Sequence, residues 1–264
     1  MTGVPVLRDE PTPVVRKRPP IRACIYAEKG VGKTALALTA SRPLVVDTNF
    51  GLEGEAVPED LDALQWTPDE YPDLASLYFA MKSNDRDRDT WVIDQVDSLN
   101  AWLIRQSVMT WASKSREPGA GMVNIGQGVA EQRDYLAAAT ALHDFLLLLA
   151  RSGKDIILLA HTLQPDPQKG EYKRGPAMNA ASRKEVEDWA NIYGEYQIVR
   201  VEGKPEQRVL SWLPDDPTRR TANRWRSVLK SSMVNPTIPN IKKAISRAYT
   251  KPTQPAATAR KADQ

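Results

Sequence analysis

The sequence predicts an α/β fold: a mostly parallel central sheet with helices on both faces and an antiparallel hairpin at one edge. Three observations predict it. Four short runs, "RACIYA" (22–27), "PLVVDT" (43–48), "TWVID" (90–94) and "DIILLAH" (155–161), are apolar nearly throughout, as strands buried on both faces must be. Amphipathic helical stretches alternate with them, the pattern of parallel strands joined by crossover helices. Two later runs, "YQIVRVEG" (196–203) and "QRVLSWL" (207–213), alternate apolar with polar residues around "KPE" and read as the hairpin.

The elements follow in order. The first twenty of the 264 residues hold five prolines and no regular period, so residues 1–19 are expected to be a flexible arm and residues 20–250 the core. Helices are predicted at 33–41 after the first strand, at 72–82, and at 98–113 after the third. Asp97 and Ser98 are placed to cap the helix at 98–113. The helix at 129–152 ends in "LHDFLLLLARSG", where Gly153 suits the position just past a helix end. Its His143 reads as an ordinary helix residue. Further helices are predicted at 182–191 and 238–249, and residues 251–264 read as a basic disordered tail.

Composition excludes several classes. With 41% hydrophobic and 26% charged residues the balance is that of a soluble protein. No apolar run approaches the roughly 20 residues of a membrane span. The N-terminus lacks the apolar centre of a secretory signal. The single cysteine, Cys24, cannot form an internal disulfide and lies in a strand, which suits a core side chain in a reducing cytoplasm. The net charge of +3 is uneven: residues 218–264 carry eleven Lys and Arg against one acid, while the body is acidic. Such a segment suits a polyanion partner, and equally a solvated tail.

The residues that carry chemistry are "AEKGVGKT", directly behind the first strand. They match G-x-x-x-x-G-K-[ST] except that Ala27 replaces the first glycine. In such a loop backbone N–H groups turn inward on phosphates, so Ala27, Glu28, Lys29, Gly30, Val31, Gly32, Lys33, Thr34 and Ala35 are expected to line a nucleotide. Lys33 would reach the β- and γ-phosphates and the Thr34 hydroxyl would coordinate Mg²⁺. The glycine's place permits a tight strand exit, and alanine is its smallest replacement, so the loop is expected to work at some cost in affinity. Asp94, closing the apolar "TWVID", supplies the carboxylate expected to hold the magnesium through water.

With these in place the chain resembles the RecA-like P-loop ATPases, and among them the small phage-encoded nucleotide-binding and RecA-core single-strand annealing proteins. The resemblance covers Pro20 to Tyr249. It rests on "AEKGVGKT", "PLVVDT", "TWVIDQVDSL", "IILLAHT", "RGPAMNAASRKEVEDWAN" and "ANRWR". It implies a RecA-like P-loop NTPase fold, with ATP and Mg²⁺ as cofactors. It also implies single-stranded DNA and a single-strand-binding protein as partners, and a homo-oligomeric ring or filament in the host cytoplasm. His161 matches the polar strand end that senses the γ-phosphate. The segment after it, "TLQPDPQKGEYKRGPAM", matches the DNA-contacting loop, with Lys169, Lys173 and Arg174 set to neutralise phosphates and Tyr172 to stack on a base. The alternative reading is a solvated surface loop. A second such loop, 113–128, begins with Lys114 and Arg116. Arg224 matches a late arginine that touches a neighbouring subunit's nucleotide.

One departure stands out. The resemblance implies a catalytic glutamate just after the second strand, but Asn49 occupies that place in "LVVDTNFGLEGE". Either Glu53 or Asp97 substitutes, or turnover is slow and ATP acts mainly as a conformational switch. A motor or loader subunit is the competing reading, and it needs a strong catalytic carboxylate. A small-molecule kinase would need a lid of several arginines, for which "QKGEYKRG" is short.

Overall fold

The computed structural model describes residues 18–49, 52, 62–65, 73–85, 87–114, 130–169, 173–203, 205–213, 217–225 and 229–250. The 251–264 tail and nearly all of the 1–19 arm and of the 113–128 loop lie outside these.

Strands β1 (Arg22–Ala27), β2 (Leu44–Asp47), β3 (Asp62–Gln65), β4 (Thr90–Asp94), β5 (Asp155–Leu163) and β7 (Ile192–Val199) run parallel in the order β3-β2-β4-β5-β1-β7. Strands β8 (Gln207–Ser211) and β10 (Ser232–Val234) extend the β7 edge in antiparallel register. Two short strands, β6 (Gly175–Pro176) and β9 (Ala222–Asn223), pair with β5 and β7. This is the predicted class: a mostly parallel sheet with an antiparallel edge.

Because side chains alternate across a strand, each buried strand feeds two cores. Cys24 and Tyr26 of β1, with Trp91 and Ile93 of β4, face α2 (Leu74–Ser83), α3 (Val96–Lys114), α4 (Gln132–Arg151) and α5 (Ala180–Trp189). Ala23, Ile25 and Ala27, with Val92 and Ile157, face α1 (Lys33–Leu38) and α6 (Ile238–Thr250). Helices therefore cover both faces. None in the described residues is long and apolar enough to cross a membrane.

Three local differences from the expectation have physical causes. Strand β7 begins at Ile192, four residues before the predicted start, because buried Glu195 interrupts its apolar pattern and is neutralised by Arg174 and Arg219, 3.1 and 3.2 Å away. Helix α3 begins at Val96, so Asp97 lies inside the first turn instead of capping it. Helix α4 begins at Gln132, where the Asp134 carboxylate accepts the Glu131 N–H at 2.9 Å.

At the end of the sheet where β5 begins, Asp155 joins three segments. Its buried carboxylate accepts the Ile21 N–H (2.6 Å), two Arg18 guanidinium donors (3.2 Å each) and Lys242 Nζ of α6 (2.9 Å). Burial alone would raise this carboxyl, but the bonds from Arg18, Ile21 and Lys242 outweigh it and hold it below the ordinary value. A carboxyl lowered on folding stabilises the fold above its unfolded pKa, near 3.9, and that stability fades as pH falls through the folded value. Asp155→Asn is therefore expected to cost about 1.5–3 kcal/mol at pH 7 and to flatten the loss of stability below about pH 5. Urea unfolding at pH 7 and about pH 2 checks both. Equal destabilisation at the two pH values would remove the carboxylate's charge from the account.

Candidate functional site

Strand β1 ends at Ala27, and the chain turns back into α1 through Gly30 (φ 82°) and Gly32 (φ 94°), both left-handed positions that glycine adopts without strain. Ala27 is still in the strand, fully buried and in parallel register with His161. The first place of the motif is thus an extended residue here, and nothing in the backbone requires glycine. The expected cost of Ala27 has no geometric basis in the structure.

Lys33 opens α1 and is buried, its Nζ donating to the carbonyls of Ala27 and Glu28 at 3.2 Å each. Burial lowers its pKa, opposed by the nearby Asp94 and Asp97 carboxylates. The ammonium is thus stored against the loop backbone, where an anion could attract it.

Asp94 ends β4 beside this loop. Its Oδ2 accepts the Thr34 hydroxyl at 2.7 Å, while Oδ1 is buried without a hydrogen-bond partner. Burial raises the Asp94 carboxyl, the Thr34 bond lowers it, and the neighbouring Asp47 raises it again. A buried carboxylate with one oxygen unsatisfied suits a divalent cation. Among the described residues no group of three His, Cys, Asp or Glu side chains could hold a metal alone. Thr34 and Asp94 fit Mg²⁺ that also takes phosphate oxygens.

The strand ends around Asp94 are locked together. The Thr48 N–H donates to the Asp94 carbonyl (2.7 Å), and the Thr48 hydroxyl bonds both the N–H and the carbonyl of Gln95 (2.6 and 2.7 Å). The Asp94–Gln95 peptide is cis. At the end of β5, His161 Nδ1 lies 3.0 Å from an Asp97 oxygen and Nε2 lies 3.2 Å from the Gln95 amide nitrogen. Asp97 can only accept from Nδ1–H and the amide can only donate, which assigns the neutral Nδ1–H tautomer. His161 therefore lines the cleft through a ring fixed on both sides.

These residues surround one cleft of about 670 Å³, lined by Lys29, Gly30, Gly32, Lys33, Thr34, Ala35, Asn49, Asp94, Gln95, His161 and Arg208. Sequence reasoning missed Gln95 and Arg208. Asn49 does reach the cleft, in the place where a catalytic glutamate was expected. Asp97 is turned onto His161, and Glu53 lies outside the described residues. Among the described lining residues Asp94 is the only carboxylate.

The remaining expected residues are dispersed. Arg224 is exposed and donates to the Asp188 carbonyl, its own N–H bonding the Asn191 carbonyl (2.9 Å). That position is near the start of β1, at the opposite end of the sheet from the loop, so Arg224 cannot serve its own site. Lys169 ends a 3-10 turn at Pro167–Lys169, its side chain outside the description, and Tyr172 lies wholly outside it. Lys173 is half-buried. Arg174 pairs with Glu195, and its backbone bonds the carbonyl of Thr218 (3.0 Å) and the N–H of Arg220 (2.8 Å), which anchors the end of the segment leaving β5. His143 bonds Glu185 at 2.7 Å on the helical surface.

No curated protein matches the chain. Among solved structures it is similar to the flagellar accessory protein FlaH of Methanocaldococcus jannaschii, at 11% identity and a TM-score of 0.40 over 80% of this chain and 83% of that one. It is also similar to a KaiC-like protein of Pyrococcus horikoshii OT3, at 13% identity and a TM-score of 0.39 over 72% and 76% of the two chains. The family model that matches residues 19–223 is described as "AAA domain", and it spans the phosphate loop, Asp94 and His161: the chain belongs to the AAA domain family of P-loop nucleotide-binding ATPases.

Proposed function

We propose that this protein is an ATP- and Mg²⁺-dependent ATPase that acts on single-stranded DNA as a homo-oligomer, in annealing or recombination of the phage-encoded kind. The observation that carries the nucleotide part is the Asp94 carboxylate, bonded to Thr34 through one oxygen with the other buried and unsatisfied beside the loop. Thr34 and Asp94 would hold Mg²⁺, which would supply positive charge against that developing on the phosphates. Lys33 and the loop N–H groups bind the phosphates, and His161, fixed by Asp97 and Gln95, stands at the cleft wall to register the terminal one.

The DNA part is supported by the segment that leaves β5 just past His161. Gln164 donates to the Glu28 carboxylate of the phosphate loop at 2.9 Å, so a change in the loop reaches this segment directly. Lys169, Tyr172 and Lys173 would contact the strand, with Arg174 as the anchor that returns the segment to β7. The basic 218–264 segment would add diffuse attraction.

Asn49 can orient water but cannot take its proton, so basal turnover is expected to fall below the ordinary enzyme range of about 1–10³ per second. The test is phosphate release with and without single-stranded DNA, alongside titration of a labelled oligonucleotide with a non-hydrolysable ATP analogue. Stimulation by DNA and analogue-dependent binding are expected. Rapid turnover without DNA would show that Glu53 or another carboxylate acts as base. Nucleotide binding with no affinity for the oligonucleotide would favour a loader or motor subunit.

A further inference from the structure

The cleft contains one cation that comes from outside the motif residues. Arg208 lies on β8, two strands from β1, on the side of the sheet away from Asp94. Its backbone is held twice by Asn235, whose Oδ1 accepts the Arg208 N–H at 3.0 Å and whose N–H donates to the Arg208 carbonyl at 2.6 Å. Register with Ile198 of β7 fixes the other side. A residue so anchored presents its side chain from a rigid edge. The guanidinium Nε donates to the Val31 carbonyl in the loop at 3.2 Å, and a Cβ at Gly32 would stand 3.5 Å from it. Among the described residues its Nη1 and Nη2 groups have no hydrogen-bond partner, although a guanidinium fork suits two phosphate oxygens.

The position within the cleft decides which phosphate. Thr34, Asp94 and His161 mark the metal and the terminal phosphate, on the β5 and β4 side of β1. Arg208 reaches the loop from the β7 and β8 side, at Val31 and Gly32. A polyphosphate whose terminal end lies at Asp94 must carry its other end toward Arg208. Among the described lining residues, Lys29, Lys33 and Arg208 face one carboxylate, an excess of positive charge that suits a nucleotide.

We propose that Arg208 grips the inner, α- and β-phosphates of the bound nucleotide in its own chain, as an affinity residue and not as a finger on the transferred phosphate. This rests on the nucleotide-binding reading. A contact made to both ATP and ADP and kept throughout the reaction lowers Kd without raising the rate of the chemical step.

The test compares Mg-ATP analogue and Mg-ADP binding by calorimetry in the parent, Arg208→Ala and Arg208→Lys. Arg208→Ala is expected to weaken both nucleotides equally, by about 10- to 150-fold. Arg208→Lys should fall between, since it keeps charge without the fork, and it carries the test if the alanine variant misfolds. Loss confined to the ATP analogue would place the guanidinium on the terminal phosphate and overturn the proposal. Unchanged affinity for both would reduce Arg208 to a support for the Val31 carbonyl. A parent that binds neither nucleotide would instead remove the nucleotide reading itself.

Discussion

Lys33→Ala is expected to abolish useful ATP binding. The ammonium is buried and, among the described residues, bonded only to the Ala27 and Glu28 carbonyls, both parts of the loop a nucleotide would occupy. A phosphate chain arriving there replaces these two weak acceptors with charged ones, and the charge-assisted bonds are roughly twice as strong. Truncating one partner of a buried, hydrogen-bonded charge pair costs about 2–5 kcal/mol, or roughly 30- to 5000-fold in Kd. Stability of the free protein should move much less, because the same change removes the burden of burying an ammonium while leaving the Ala27 and Glu28 carbonyls without their donor. Calorimetry with Mg-ATP analogue, with a thermal melt as control, separates the two. Unchanged affinity in a folded variant would overturn the assignment of the loop.

Much of this site was legible because its parts are local. Lys33 and Thr34 follow a strand within one motif, and Asp94 closes an apolar run whose burial on both faces the composition announces. The sheet edge was legible as alternation, though β7 begins four residues early because a buried glutamate mimics an exposed one until its two arginine partners are known. The residues that were missed depend on distance. Arg208 meets Val31 across 177 residues, and in the sequence it is an ordinary polar position of a hairpin strand. Gln95 reads as a polar residue between strand and helix, and only the fold brings His161 to its amide. Asp97 illustrates the reverse. Its sequence position suits a helix cap, but the helix starts at Val96, two residues before the predicted start, and frees the carboxylate for His161, 64 residues away. Ala27 departs from the motif, but the apolar run "RACIYA" already ends on it as a strand residue, and its pairing with His161 bears that out.

Asp94→Asn is expected to separate nucleotide binding from its dependence on magnesium. The amide oxygen can still accept the Thr34 hydroxyl, so the local packing is kept, but the negative charge that would hold the cation is gone. Lys33 and the loop N–H groups remain, and nucleotide binding should stay measurable while losing its response to added Mg²⁺. Hydrolysis should fall with it, since the cation is what neutralises charge on the phosphates. The free protein should respond in the opposite sense. Asp94 is buried with Asp47 nearby, so its carboxyl titrates above the ordinary value in the folded state. For such a group the folded chain binds the proton more tightly than the unfolded one, and stability falls as pH rises from the unfolded pKa through the folded one. The parent without metal should therefore lose stability across that window, and the asparagine variant should not, leaving it at least as stable near pH 7. Metal binding competes with the proton on the same carboxylate, so the parent's Mg²⁺ response should weaken as pH is lowered toward that window. Melts of parent and variant from pH 4 to 8, with and without Mg-ATP analogue, read all three effects. A variant that keeps full magnesium dependence would show that the cation is held elsewhere, and the unsatisfied Asp94 oxygen would then need another ligand.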